Sequence, residues 1–185
     1  MKKYLKYCFI VLGMIILFLP CVFAQENSKE QDFLTKAVGS NQFEIALGTH
    51  ALKQSEKDDF KQYGQMLIND HTKVLEELQE AAAAKKLSLP DGLEENQASI
   101  LKSLSVLSGA DFDNAFKDVM IKTHESAIAL FEDAANNLND QEMRQWAAEK
   151  VPTLRGHLEQ AKSLQVRSES NSPSQPVEEN STETL

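Results

Sequence analysis

Apolar residues recur at spacings of three and four along most of the chain beyond its first 24 residues, and nowhere does a stretch alternate apolar and polar residues between turn signals. Spacings of three and four line one face of a 3.6-residue helical turn, whereas a half-buried strand needs a period of two. The fold class is therefore all-α. Leu34, Ala37, Val38, Ile45, Leu47, Ala51 and Leu52 follow Ser28 and Gln31, the spacing of a capping box, and predict a first helix over roughly 30 to 54. Ser55 with Asp58 repeats that signature, and Phe60, Met66, Leu67, Val74, Leu75, Leu78 and Ala82 carry a second helix to about Lys86. Leu89-Pro90-Asp91-Gly92 breaks it, and residues 93 to 107 form a shorter helical piece closed by Ser108-Gly109. A third long helix carries Phe112, Phe116, Met120, Ala127, Ile128, Phe131 and Leu138. A fourth, capped by Asn139 with Glu142 three residues on, carries Met143, Ala147, Val151, Leu154, Leu158 and Ala161, with Pro152 inside it.

Short turns join the first helix to the second and the third to the fourth, which predicts two antiparallel hairpins. The long linker between them, with its own short helix, favours the crossover of a ferritin-like four-helix bundle over a simple up-down ring. Gly48 and Gly64 lie about equally far from the Ser55 turn, so they are expected to face each other and let the first two helices approach closely.

The first 24 residues read as a secretory signal. Lys2, Lys3 and Lys6 precede an apolar run from Cys8 to Phe23, and Val22-Phe23-Ala24 offers a cleavage site after Ala24. An uncleaved anchor is the alternative, but the run of about 16 residues is near the lower limit for a ~30 Å hydrocarbon core. Pro20 ahead of Cys21 disfavours lipid attachment there. The expected organisation is a signal over 1–24, a bundle over 25–167 and a disordered acidic tail over 168–185, which has no aromatic residue. Both cysteines, Cys8 and Cys21, fall in the signal, which excludes disulfides, thiolate metal sites and thiol nucleophiles from the mature chain. Removing the signal leaves 16 basic against 28 acidic residues, a balance of −12 that would repel nucleic acid. The expected compartment is the periplasm or the outer membrane's periphery, with no membrane span after cleavage.

Four polar residues occupy positions where the stripes call for apolar ones. Glu44 lies on the stripe of Ala37, Asn41, Gly48 and Ala51; His71 lies on that of Gly64, Leu67, Val74 and Leu78. His124 stands four residues from both Met120 and Ile128, and His157 stands three after Leu154 and four before Ala161. Their distances from the turns bring all four near mid-bundle. One carboxylate and three imidazoles can surround a single divalent transition metal, Zn, Fe, Mn or Cu, because those ions accept mixed nitrogen and oxygen ligands. Asp70, Glu125 and Glu149 are candidate outer acceptors or an extra ligand, and His50 is a satellite on another face. The competing expectation is a hydrogen-bonded polar layer that fixes helix register and binds nothing. Positions three before the histidines hold Ile68, Ile121 and Leu154, so the Glu-x-x-His pairs of a ferritin-type di-iron site are missing. No Cys-x-x-Cys-His, phosphate loop, Ser/His/Asp order or basic stripe supports haem attachment, nucleotide binding, hydrolysis or nucleic-acid binding. No residue set singles out an enzymatic reaction.

Asn69-Asp70-His71, the turn from Leu107 to Asp113, Met120-Ile121-Lys122-Thr123-His124 and Leu154-Arg155-Gly156-His157-Leu158 together resemble the bacterial exported family called domain of unknown function 4142. The resemblance runs from about Asp32 to Leu164. It implies a Glu in the first helix matching Glu44, an Asp-His pair matching Asp70 and His71, single histidines matching His124 and His157, and a proline matching Pro152. It also implies a ferritin-like fold and an exported protein, and the family's frequent outer-membrane label finds no support in barrel strands here. The expected function is an exported bundle holding a divalent metal for metal handling or redox protection. The alternative is a non-catalytic envelope module that recruits another protein or a second copy of itself.

Overall fold

Five helices make up the regular structure of the computed structural model, which describes residues 20–166, with side chains from 29 onward. They are α1 (Pro20–Gln54), α2 (Asp58–Lys85), α3 (Glu95–Ser105), α4 (Gly109–Asn137) and α5 (Gln141–Ser163), and there is no strand among the described residues. Residues 1–19 of the expected signal and all of the expected tail lie outside the described residues. No helix among the described residues is long and apolar enough to cross a membrane.

α1 starts at Pro20, ten residues before the predicted start. Proline is tolerated in a first helical turn, and neither glycine nor proline interrupts the chain from there to Gly39. Gln31 is not part of a capping box: its amide donates to the Ser88 carbonyl at 2.6 Å and accepts from the Ser88 amide at 2.9 Å, tying α1 to the linker after α2. At the first turn the buried Ser55 closes α1 through its N–H on Ala51 (3.2 Å), and its hydroxyl accepts from the Lys57 amide (3.1 Å). Asp58 and Asp59 then complement the positive end of α2. The two glycines of this hairpin do face one another. A Cβ on Gly48 would fall 2.5 Å from the Gly64 carbonyl oxygen, and one on Gly64 would fall 2.8 Å from the Ala51 Cβ.

α2 ends with Lys86 in the left-handed region (φ 55°), and the Leu87 amide reaches back to the Ala82 carbonyl at 2.9 Å. α3 begins with a capping box between Glu94 and Gln97. It packs on α1 and α4, with Leu104 buried beneath it. Gly109, expected to close this helix, instead opens α4 with φ 54°. The cap of α5 is Asp140 rather than Asn139: Asp140 Oδ1 accepts from the Met143 amide at 2.9 Å. The Asn139 and Asp140 amides are themselves taken up by Oε1 of the buried Glu30, at 2.7 and 3.1 Å.

α1 packs closely on α2, and α4 on α5. Two apolar clusters fill the interior. One joins Phe33, Leu34, Leu78, Ile128, Phe131 and Met143; the other joins Phe43, Phe60, Leu67, Phe112, Phe116 and Met120. Each buried phenylalanine contributes about 2 to 3 kcal/mol of hydrophobic stabilisation. On α1, α2 and α4 the members of one cluster precede those of the other along the helix, and the border between them holds Asn41 with Glu44 just beyond Phe43, then His71, then His124.

Candidate metal centre

Glu44 from α1, His71 from α2, His124 from α4 and His157 from α5 meet at that border, none more than 5% exposed. The Glu44 Oε2 atom lies 2.8 Å from His71 Nε2 and 3.3 Å from His124 Nε2. Ring centroids are 5.9 Å apart for His71 and His124, 5.4 Å for His71 and His157, and 5.5 Å for His124 and His157. One nitrogen from each of the three rings falls within 4.8 Å of the others, so these three buried histidines could hold a metal ion.

The neighbours fix which ring nitrogen carries a proton. The Asn41 amide nitrogen donates to the Ala37 carbonyl at 2.7 Å, so its oxygen is the atom facing His71 Nδ1 at 2.9 Å and must accept. His124 Nδ1 faces the Met120 carbonyl at 3.0 Å and must donate as well. In the neutral ring a protonated Nδ1 leaves a bare lone pair on Nε2. In the neutral rings both lone pairs therefore aim at Glu44 Oε2, itself an acceptor, and in the protonated rings two N–H groups do, while Ser40 donates to the other carboxylate oxygen at 3.0 Å. Despite these short separations, Glu44 Oε2, His71 Nε2, His124 Nε2 and His157 Nδ1 are all buried without a hydrogen bond of acceptable geometry. Three acceptors at such distances repel one another unless a proton or a cation lies between them.

The titration behaviour has the same origin. Burial alone would push the Glu44 carboxyl up, but the facing His71 and His124 charges outweigh it and hold the group at about 2. Burial pulls His71 down, and the Glu44 carboxylate more than reverses this, leaving it raised. His157, lacking such close compensation, is lowered to about 4 by burial and by the other two rings. Its Nε2 is 3.3 Å from Asp70 Oδ2, and the Tyr63 hydroxyl donates to its backbone carbonyl at 3.1 Å. Burial, and then Glu44, push the Tyr63 phenol well above its usual range, so it stays a donor.

A cavity of about 360 Å³ opens beside the cluster. Glu44, His71 and His157 form its inner end, and Val74, Ala127, Phe131 and Leu154 its apolar wall. It reaches the surface between α2 and α5, where Asp70, Lys73, Glu77, Lys150 and Thr153 surround it.

Of the expected outer acceptors, Asp70 reaches the cluster, through His157. Glu125 and Glu149 do not. Glu125 is exposed, since one residue beyond His124 is about 100° round the helix. Glu149 is exposed too and accepts from Gln145 at 3.3 Å, because eight residues before His157 leaves it about 80° off that face. His50 stays apart from the cluster. Ser40 and Tyr63 were not anticipated, nor was Asn41 as a partner of His71. Ser40 and Asn41 sit four and three residues before Glu44, and that spacing is the signal that could have found them.

The family model described as "Domain of unknown function (DUF4142)" matches residues 23–164. Among solved structures, the chain is similar to a DUF305 protein from Streptomyces coelicolor whose description names it as secreted. The TM-score is 0.61 at 8% identity, over 70% of this chain and 86% of that one, a likeness of fold. No curated protein matches the chain.

Proposed function

The chain belongs to the DUF4142 family, and we propose that it is an exported, ferritin-like bundle that holds one divalent transition metal through Glu44, His71, His124 and His157. The observation that carries this reading is the convergence of buried lone pairs from Glu44, His71 and His124 with no hydrogen bond to satisfy them. Metal–ligand bonds of about 2.0 to 2.1 Å in a tetrahedral site separate the ligand atoms by roughly 3.3 Å. The Glu44–His124 distance of 3.3 Å already has that value, and the 2.8 Å of Glu44–His71 needs a small outward adjustment. Asn41, the Met120 carbonyl and Asp70 would orient the rings, the role outer partners play in imidazole sites. Zn, Fe, Mn and Cu all suit this donor set. Without Glu-x-x-His pairs, metal handling or redox protection fits better than di-iron oxidation. The place of α3 between the two hairpins supports the ferritin-like crossover, and the lysine-led apolar segment over residues 1–24 supports export to the periplasm or the outer membrane's inner side.

Elemental analysis of protein purified without a nickel column tests the reading. About one transition metal per chain is expected, together with a rise in melting temperature on adding Zn²⁺. Both should vanish in a His71→Ala, His124→Ala, His157→Ala variant that keeps its helical circular dichroism. Metal content and melting behaviour unchanged by those substitutions would remove the claim.

A second reading draws on the 2.8 Å Glu44–His71 distance, which also suits a proton held between a carboxylate and an imidazolium. In that case the cluster is structural and the acidic surface serves a protein partner in the envelope or a second copy. It predicts a melting temperature indifferent to chelator and to metal.

A further inference from the structure

The cavity between α2 and α5 ends on the cluster itself, and its chemistry narrows what can enter. At 360 Å³ it is far larger than the roughly 30 Å³ share of a single water and falls in the size range of small-ligand sites. Few of its inner polar groups are free. The Asn41 amide is spent on the Ala37 carbonyl and His71, and the Ser40 hydroxyl on Glu44. Nearer the surface, the Asp70 carboxylate faces His157 and Lys73, and Glu77 accepts from Trp146 at 2.6 Å and pairs with Lys150. The exposed Lys73 and Thr153 stand at the mouth, so a ligand with several hydroxyls, or with a second charge deep in the cavity, would find few partners along the inner wall. The wall of Val74, Ala127, Phe131 and Leu154 offers apolar surface instead.

The charge of the centre completes the argument, which rests on the metal reading above. A divalent ion held by one carboxylate and three neutral imidazoles keeps a net charge of +1, and the nearest further carboxylate, Asp70, stands behind the His157 ring and is shared with Lys73. Such a charge is costly until an anion pairs with it. We infer that the cavity binds a small organic monoanion, a carboxylate with a short apolar body, whose head adds to the four protein donors as a fifth ligand and whose body lies on the Val74–Phe131–Leu154 wall. The ring nitrogens and Glu44 hold the ion, and the wall selects the ligand.

Protein loaded with Co²⁺ gives a visible spectrum that reports both events. Acetate, butyrate, benzoate, succinate and azide are titrated in turn. Butyrate should bind about tenfold more tightly than acetate, from two further buried methylenes. Benzoate should bind at least as tightly as butyrate, and succinate no better than acetate. Val74→Phe, which fills the wall without touching a ligand, should abolish the preference for butyrate while leaving the Co²⁺ bands and the response to azide intact. Thr153→Trp at the exposed rim repeats the test outside the core. Equal affinities for acetate, butyrate and benzoate, or a preference that survives both substitutions, would overturn the inference while the metal centre stands. Absence of any His71-dependent Co²⁺ band would instead overturn the metal reading and the inference with it.

Discussion

The two sides of α2 are built in opposite ways. Against α1 its backbone comes so close that Gly48 and Gly64 leave no room for a methyl group. Against α5 the backbones stand apart, and the gap is bridged by side chains: Tyr63 to the His157 carbonyl, Asp70 to His157, Glu77 to Trp146 and Lys150, and Lys85 to Asp140. Close backbones exclude solvent and polar groups and serve stability. Separated backbones leave a cavity, and the polar side chains that line it gain chemistry at some cost in packing. One helix thus supplies a rigid wall on one side and an accessible one on the other.

The sharpest way to break this contrast is Gly48→Ala. Helix propensity alone would favour alanine by about 1 kcal/mol. The clash with the Gly64 carbonyl should reverse that and cost about 3 kcal/mol, read as a lower denaturation midpoint in urea. A neutral or stabilising result would show that α1 and α2 separate easily and that their seam is no tighter than the other.

Next in size is the response of the open seam and its polar layer to pH in metal-free protein. The unfolded His157 takes a proton near 6.5 and the folded one only near 4, so stability falls as pH drops through that window. Glu44 titrates near 4.5 when unfolded and about 2 when folded, so a second loss follows between those values. His71 works in the other direction: with its folded value raised, its contribution is complete below 6.5 and fades as pH rises through the raised value. Urea midpoints in the presence of chelator should show both acid-side slopes, and Glu44→Gln should flatten the lower one. A Glu44→Gln protein with the wild-type slope below pH 4.5 would mean that the carboxylate is not the buried ion of this layer.

The smallest effect sharpens the first. Gly156 lies on the exposed side of α5, and a Cβ there meets nothing within 4 Å. Gly156→Ala should therefore stabilise by up to about 1 kcal/mol, opposite in sign to Gly48→Ala. A loss of stability would instead mean that α5 packs more tightly than its open side suggests.

Much of this contrast was legible in the sequence, unevenly. The helical period and the Leu89–Gly92 break give the long helices because each rests on local chemistry. The Gly48–Gly64 approach follows from equal distances to one turn. Helix starts were less secure: Ser28 and Gln31 have the spacing of a cap, but Gln31 is claimed by Ser88, a partner 57 residues away. Asn139 and Asp140 are adjacent and both suited to capping, and only Glu30, which takes up both amides, separates their roles. Stripe positions brought Glu44, His71, His124 and His157 to inner faces, since one helix suffices to define a face. Which acid meets which histidine across two helices does not reduce to one face. Asp70 projects away from its neighbour His71 and finds His157 instead, while Glu125 and Glu149 find solvent. The cavity depends on the spacing between helices, which no single stripe encodes.

Glu30 holds the amides of the turn leading into α5 from 109 residues upstream in the chain, so the start of the first hairpin is latched to the turn of the second. A chain threading out of a translocation pore amino end first would expose Glu30 early and its partners late. The latch shuts only after Asn139 and Asp140 have emerged, on the same turn that leads into the helix of His157. Up to that moment the emerging protein would offer passing ions no more than an acid and two rings from three of its four long helices. On such a route the cluster would be complete only in the finished molecule and not in its transit form.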